Sequence, residues 1–196
     1  MKYKGGQKNM GKVKFGLSNV HIAPLTYNGS TYTYGQVIAI PGAVNLSLEA
    51  SGDTSDFFAD NIKYFSASAN QGYEGDLEIA MLPDELRETI FGETKDENGA
   101  YIESADDVIK PFAFGFQIEG DEKGRRFWYY NCTVSRPNNE ASTVETSKEP
   151  ATDSLSLKAM PRETDKKVRV LLPESATNTE AYNSFFETVY EEVQQA

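Results

Sequence analysis

Apolar and polar residues alternate with a period of two through much of this chain, most clearly between Ala43 and Met81. Val44, Leu46, Leu48 and Ala50 alternate with Asn45, Ser47, Glu49 and Ser51. Further on, Tyr73, Leu77, Ile79 and Met81 share one parity, and Glu74, Asp76 and Glu78 the other. This spacing predicts two strands, each with one side in a core and one in water. Between them the sequence predicts a polar connection, Gly52 to Asn61, interrupted by Phe57-Phe58. A strand-like run from Ile62 to Ala69 holds Tyr64 and Phe65, and Asn70-Gln71-Gly72 reads as a turn. A short helix closes the unit. Pro83 suits its first turn, Asp84 and Glu85 its positive end, and Gly92 a left-handed stop. Leu82, Leu86 and Ile90 form its apolar stripe.

The rest of the chain follows the same rule. Val13, Phe15 and Leu17 predict a first strand, and a run around Val20 and Ile22 a second that ends at Pro24. Asn28-Gly29 marks a hairpin turn, after which Tyr32 to Ile40 returns as a strand. Gly92 to Asp107 is the most acidic stretch, with Asn98-Gly99 as a turn in a solvated loop or small hairpin. Pro111 to Pro137 is a hairpin. Phe112, Phe114, Phe116 and Ile118 lie on one strand and Trp128, Tyr130, Cys132 and Val134 answer on the other, so the rings fill a core between sheets. Asn138 to Asp153 is a polar strand or arm. Leu155, Leu157 and Ala159 predict a strand, as do Val168, Val170 and Leu172. Thr177 to Glu180 reads as a capping box opening a helix over 178–194, with Tyr182, Phe185, Phe186, Val189 and Val193 on one face. The expected fold is mainly β: a two-sheet β-sandwich or barrel of antiparallel strands, with a short helix after the central strands and a C-terminal helix. Residues 11–196 form one domain; residues 1–10 are an arm, or an upstream extension set by the choice of start codon.

Composition narrows the function. Nineteen basic against thirty acidic residues give a net charge of −11. Affinity for nucleic acid rests on lysine and arginine displacing counterions, so tight nucleic-acid binding is not expected. Cys132 is the single cysteine and is expected to be a buried, reduced thiol. His21, the single histidine, has no marked nucleophile beside it and no ligand spacing around it, so a structural role is expected. The acidic stretch lacks the spacing of a calcium loop, and no phosphate-cradling glycine motif occurs. Paired carboxylates are common in so acidic a chain and identify no glycosidase. The Asn-x-Ser/Thr triplets at Asn28, Asn45 and Asn131 carry no weight without a secretion signal. No catalytic residue, metal or cofactor is expected. No stretch has the length of a membrane span and no charged-then-apolar leader opens the chain. Residence in a cytosol-like compartment, or departure only within a larger particle, is therefore expected.

One family combines these elements. Leu77-Glu78-Ile79-Ala80-Met81-Leu82-Pro83-Asp84-Glu85 with its helix and Gly92 resembles the major tail proteins of long-tailed bacteriophages. So do Phe112 to Phe116 leading to Arg126-Phe127-Trp128-Tyr129-Tyr130-Asn131-Cys132, and Pro150 to Leu155. The likeness runs roughly from Gly11 to Arg169. It implies hexameric rings that stack into a hollow tail tube through which double-stranded DNA leaves without being held. It also implies a tape-measure protein within the tube, tail-terminator and distal-tail proteins at its ends, and residence in the virion tail after assembly in the host cytoplasm. On this reading Asn45, Ser47, Glu49, Glu74, Asp76 and Glu78 are candidates to line the bore. The connection holding Asp53, Asp56, Phe57, Phe58 and Asp60 is a candidate contact between subunits or rings, because two phenylalanines in a polar loop are hard to explain in a monomer. The Asn138 to Asp153 segment and the N-terminal arm are lesser candidates. The alternative from another class is an acidic β-sandwich module that binds carbohydrate on a particle or cell surface; an enzyme is third.

Overall fold

The computed structural model describes residues 14–120, 124–138 and 151–193. The N-terminal arm, residues 121–123 and most of the Asn138 to Asp153 segment lie outside the described residues. In chain order come β1 (Lys14–Tyr27), β2 (Tyr32–Tyr34), β3 (Ile38–Ala39), β4 (Ala43–Ser51), β5 (Thr54–Ala59), β6 (Ile62–Ser68) and β7 (Gly72–Ile79). The helical turns of α1 (Asp84–Leu86) and Arg87–Phe91 follow, then β8 (Thr94–Lys95), β9 (Tyr101–Ile102), β10 (Phe112–Gly120) and β11 (Arg125–Val134). The chain closes with β12 (Asp153–Ala159), β13 (Arg169–Pro173) and α2 (Thr179–Asn183). The fold is mainly β, with antiparallel sheets, as the alternation predicts.

One large sheet runs β2-β1-β10-β11-β12-β7-β4, with β3 beside β1 and β13 beside β11. β11 changes partner along its length. Arg125–Tyr129 pair with β13, and Cys132–Val134 with β12. The sheet thereby splits into two leaves that share one core, in the manner of a sandwich. Val20, Ile22, Phe114, Phe116 and Tyr129 enter that core from one leaf; Leu77, Ile79, Leu155 and Leu157 enter it from the other. Leu82, Leu86, Ile90 and Phe91 add the helical side. Burial of such side chains stabilises by roughly 1.5–3 kcal/mol each.

Several departures from simple alternation have local causes. The two predicted N-terminal runs are one strand, β1, which keeps going because Gly16 (φ 76) and Asn19 (φ 50) absorb bulges in the left-handed region. The returning segment after Asn28-Gly29 is two short pieces, β2 and β3, rather than one strand. In β4 a register shift between Ala43 and Asn45 turns Ala43 toward the core and leaves Val44 exposed, against its predicted parity. Met81 is exposed because β7 ends at Ile79. The helix after β7 widens into a π-turn over Arg87–Phe91, which brings Phe91 inward beside Ile90 before Gly92 (φ 78) ends it.

The β10–β11 hairpin corrects another expectation. Phe114 pairs with Tyr129 and Phe116 with Phe127, and these rings face the main core. Trp128 and Tyr130 have the opposite parity and lie on the outer side of the same leaf. An irregularity between the Phe112–Cys132 and Phe114–Tyr129 pairs returns Cys132 and Val134 to the inner side. The outer face is covered by the C-terminal segment, where Phe185 and Val189 bury against Trp128, Tyr130, Ala23 and Ala113. Of the helix expected over 178–194, the described part of this segment, which ends at Val193, is helical only over Thr179–Asn183. Trp128 Nε1–H donates to the Phe185 carbonyl (2.9 Å), Tyr130 Oη–H to the Tyr190 carbonyl (3.1 Å), and Arg126 to the Tyr182 carbonyl. Side chains of β11 therefore take up carbonyls along the segment that a longer helix would turn on itself. The capping box does not form: Asn178 precedes the helix, and its side chain bonds back to Ser175 N and Pro173 O.

Arg162 fastens the same segment. It is buried, pairs with Asp165 and Glu191, donates to Tyr34 Oη (3.2 Å) and lies over the Tyr130 ring (4.3 Å). Among the described residues no helix is long and apolar enough to cross a membrane. At the foot of β7, Gly72 has φ 111, and a Cβ there would sit 1.9 Å from the Ala159 carbonyl oxygen. Gly72→Ala is expected to cost at least about 2 kcal/mol, since both backbone conformation and contact forbid the methyl group. Urea unfolding followed by Trp128 fluorescence measures it, and an unchanged midpoint would refute the packing described at Gly72.

Candidate functional site: a polar sheet face and a projecting hairpin

The six residues proposed to line a bore are brought together. β4 pairs with β7 so that Asn45 stands beside Glu78, Ser47 beside Asp76 and Glu49 beside Glu74. All six side chains lie on the face opposite Leu46, Leu48, Leu77 and Ile79. β12 adds a third column that the sequence reading did not assign: Ser154 pairs with Glu78, Ser156 with Asp76 and Lys158 with Glu74. Its signal was present, since Ser154, Ser156 and Lys158 alternate with buried Leu155, Leu157 and Ala159. The result is a three-by-three lattice of polar side chains with columns about 4.8 Å apart. It holds four carboxylates against one ammonium group.

Cross-strand bonds order this face. Thr152 Oγ1–H donates to Glu78 Oε1 (2.6 Å), Ser156 Oγ–H to Asp76 Oδ1 (2.7 Å), and Lys158 Nζ meets Glu74 Oε1 at 2.6 Å. Ser51 Oγ–H reaches the same Glu74 oxygen at 3.3 Å. The Lys158 ammonium holds the Glu74 carboxyl below its ordinary range. Two shallow grooves cross the face, one lined by Glu74, Asp76, Thr133 and Lys158, the other by Asn45, Glu78, Asn138 and Thr152.

The predicted polar loop with its phenylalanine pair is instead half of a hairpin. β5 pairs with β6, and Asp60 (φ 51) and Asn61 (φ 60) make a two-residue turn. Positive φ at both central residues is the geometry that fits the twist of a hairpin, and Asp and Asn tolerate it. Asp60-Asn61 was thus a legible turn signal. Asn70-Gln71-Gly72 is not a reversal. Ala69 N–H donates to the Asp53 carbonyl (3.0 Å) and Gln71 N–H to the Ser51 carbonyl (2.9 Å), so the β4–β7 ladder runs straight on into β5–β6. Six and seven residues of strand carry the hairpin about 20 Å outward.

Every described side chain from Gly52 to Gln71 is exposed, except the half-buried Asp56 carboxylate. These include Ile62 (62%), Tyr64 (73%) and Phe65 (59%), which the sequence reading did not name as contacts. Phe57 and Phe58 lie on β5, opposite Phe65 and Lys63, and their side chains fall outside the described residues. Asp56 bonds Lys63 Nζ (2.7 Å) and Ser66 Oγ (2.6 Å), which hold its carboxyl below the ordinary range. Asp53 accepts from Gln71 Nε2 (3.3 Å). Two of the five interface candidates are thus tied within the hairpin, and Asp60 is committed to its turn.

The residues with reactive side chains stand elsewhere. Cys132 is buried, and burial pushes its thiol well above the ordinary range, so it holds no thiolate at neutral pH. Phe116, Phe127, Trp128 and Tyr130 are buried as well and offer no platform for a sugar ring. Among the described residues no group of three or more His, Cys, Asp or Glu side chains converges on a metal position. In the acidic stretch β8 and β9 make a small hairpin whose turn is organised by Asp96, accepting from Asn98 N (2.9 Å) and Ala100 N (2.8 Å). No family model matches the chain, and no curated protein matches it.

His21 stacks on Phe186 of the C-terminal segment at 4.5 Å, and its Nδ1–H donates to the Asn19 carbonyl (2.7 Å). Burial lowers its pKa from 6.5, and the Arg126 charge acts in the same sense against the Asn19 bond. The unfolded chain therefore takes up a proton that the folded one refuses. Stability is expected to fall as pH drops below 6.5 and to level off below the folded pKa. His21→Phe should remove that slope. Thermal midpoints between pH 7.5 and 5 test it, and an identical slope in both proteins would exclude His21 as its source.

Proposed function

We propose that the protein is a structural subunit that assembles with copies of itself into stacked rings and so forms a hollow tube, the tail tube of a long-tailed bacteriophage. The observation that carries the reading is the shared ladder of β4 and β7. At its base it bears a solvated acidic face, and beyond that face it extends into a hairpin with Ile62, Tyr64 and Phe65 in water. Exposed apolar side chains on a projecting arm favour a partner surface, and a self-associating chain supplies one at high local concentration. Individual contacts need not be strong, because a closed ring repeats each of them and gains by multivalency.

The acidic face then lines the bore. Carboxylates there repel a duplex that comes within the screening length of about 8 Å and give its phosphates nothing to settle on. Double-stranded DNA passes without tight binding. The resemblance in sequence adds a tape-measure protein inside the tube and terminator and distal-tail proteins at its ends as further partners, and the virion tail as the location. No step in this role needs a reaction centre.

Concentrated, purified protein is expected to form tubes of uniform width under negative-stain electron microscopy. Tyr64→Ser combined with Phe65→Ser should leave the thermal midpoint within a few degrees of the parent, since neither side chain is in the core, and should abolish the tubes. Tubes of normal length from the double variant would remove the hairpin from the assembly. A parent protein that remains monomeric at the highest attainable concentration would reject the reading.

A further inference from the structure

Among the described residues the polar face contains one cation, and it is engaged. Lys158 Nζ lies 2.6 Å from Glu74 Oε1, with each side chain about half exposed. Two hydroxyl donors beside it are engaged in the same way: Ser156 donates to Asp76 and Thr152 to Glu78. The acceptor is on β7 each time; Ser156 and Lys158 are on β12, where the register sets them beside Asp76 and Glu74, and Thr152 directly precedes that strand. Lys158, Ser156 and Thr152 thus each direct a hydrogen at a β7 carboxylate rather than at a phosphate oxygen in solution, and the single cation among them is engaged.

We propose that the β7 carboxylates, Glu74 foremost, act as masks: they engage Lys158, Ser156 and Thr152 and keep this face from adhering to polyphosphate chains. General repulsion alone does not require this arrangement. Carboxylates anywhere on the face would repel a duplex at long range, whereas a lysine left loose among them would still meet a phosphate at contact. Glu74 is therefore a specificity-determining residue whose partner is Lys158. The proposal rests on the reading of this face as the wall past which DNA moves. Masking itself is a property of the face in any state of assembly.

The test uses the full chain immobilised at high density and a short duplex DNA as probe, at salt concentrations from 20 to about 200 mM. The parent is expected to retain none above background. Glu74→Gln should retain the duplex at low salt. Retention should fall about 3.5-fold for each fourfold rise in salt per lysine engaged, following the counterion slope of roughly 0.9 per phosphate contact. Glu74→Gln with Asp76→Asn and Glu78→Gln should retain more. Adding Lys158→Gln to either variant should return it to the parent level. These positions are exposed or half-buried, and circular dichroism verifies that each variant is folded. Retention no greater than the parent's in both carboxylate variants overturns the proposal, as does retention that persists without Lys158. Because no tube is needed, a protein that fails to assemble yet passes this test would reject the tube while leaving the mask in place.

Discussion

The register of β4, β7 and β12 is the constraint from which the other features follow. Side chains alternate strictly across a sheet, so a slip of one residue between β7 and either neighbour would drive Leu77 and Ile79 into water and Asp76 and Glu78 into the core. Burying Leu77, Ile79, Leu155 and Leu157 thus fixes the place of every carboxylate on the other side. The acidic lattice is held by the core beneath it, and its own ion pair and hydrogen bonds only trim the side-chain positions. The same register continues past Gly72 into the hairpin, so the direction of that arm is set by the core as well.

The opposite leaf solves a different problem. β10 and the central part of β11 carry apolar side chains on both faces, which a two-layer sheet cannot bury alone. The C-terminal segment supplies the missing layer, and its shape is dictated by what β11 offers. Trp128, Tyr130 and Arg126 each carry a polar hydrogen that must find a partner when the ring or stem is covered, and backbone carbonyls of the segment are the acceptors in reach. Arg162 then closes the end of the segment. Burial pushes the Asp165 carboxyl up, and the bond to Arg162, with the Lys167 amide, more than reverses this and holds it below the ordinary carboxylate range. The outside of this leaf is in this way sealed, while the polar face and hairpin of the other leaf remain open.

Much of this was legible in the chain. Strict alternation located β4, β7, β10 and β12, Gly92 marked the end of the helical turns after β7, and Asn28-Gly29 the connection between β1 and β2. The six polar residues assigned to one surface do share it, because parity on two paired antiparallel strands carries across the ladder. What failed to be legible depends on single-residue irregularities. A bulge in β11 sends Trp128 and Cys132 to opposite sides although they share a parity, and a shift in β4 exposes Val44. The C-terminal helix was overestimated for another reason: helical spacing of Phe185, Val189 and Val193 describes an apolar face, and does not reveal that side chains of a distant strand will compete for the carbonyls. The hairpin reads as a loop in sequence because Asp60-Asn61, which makes its turn, closes a run of polar residues that hides the strand before it.

One leaf is covered on its outside by the C-terminal segment, and the other presents a solvated polar face that continues into an exposed hairpin. An acidic face whose ladder continues into a projecting hairpin with exposed Ile62, Tyr64 and Phe65 fits the proposed ring, with the face toward the centre and the hairpin toward a neighbour. The most direct measurement is a three-dimensional reconstruction of the assembled protein by electron cryomicroscopy. The β4–β7–β12 face, with Ser47, Asp76 and Ser156 at its middle, is expected to line the central channel with its side chains pointing at the axis. An assembly in which that face is turned outward, or is buried between subunits, would contradict the central claim.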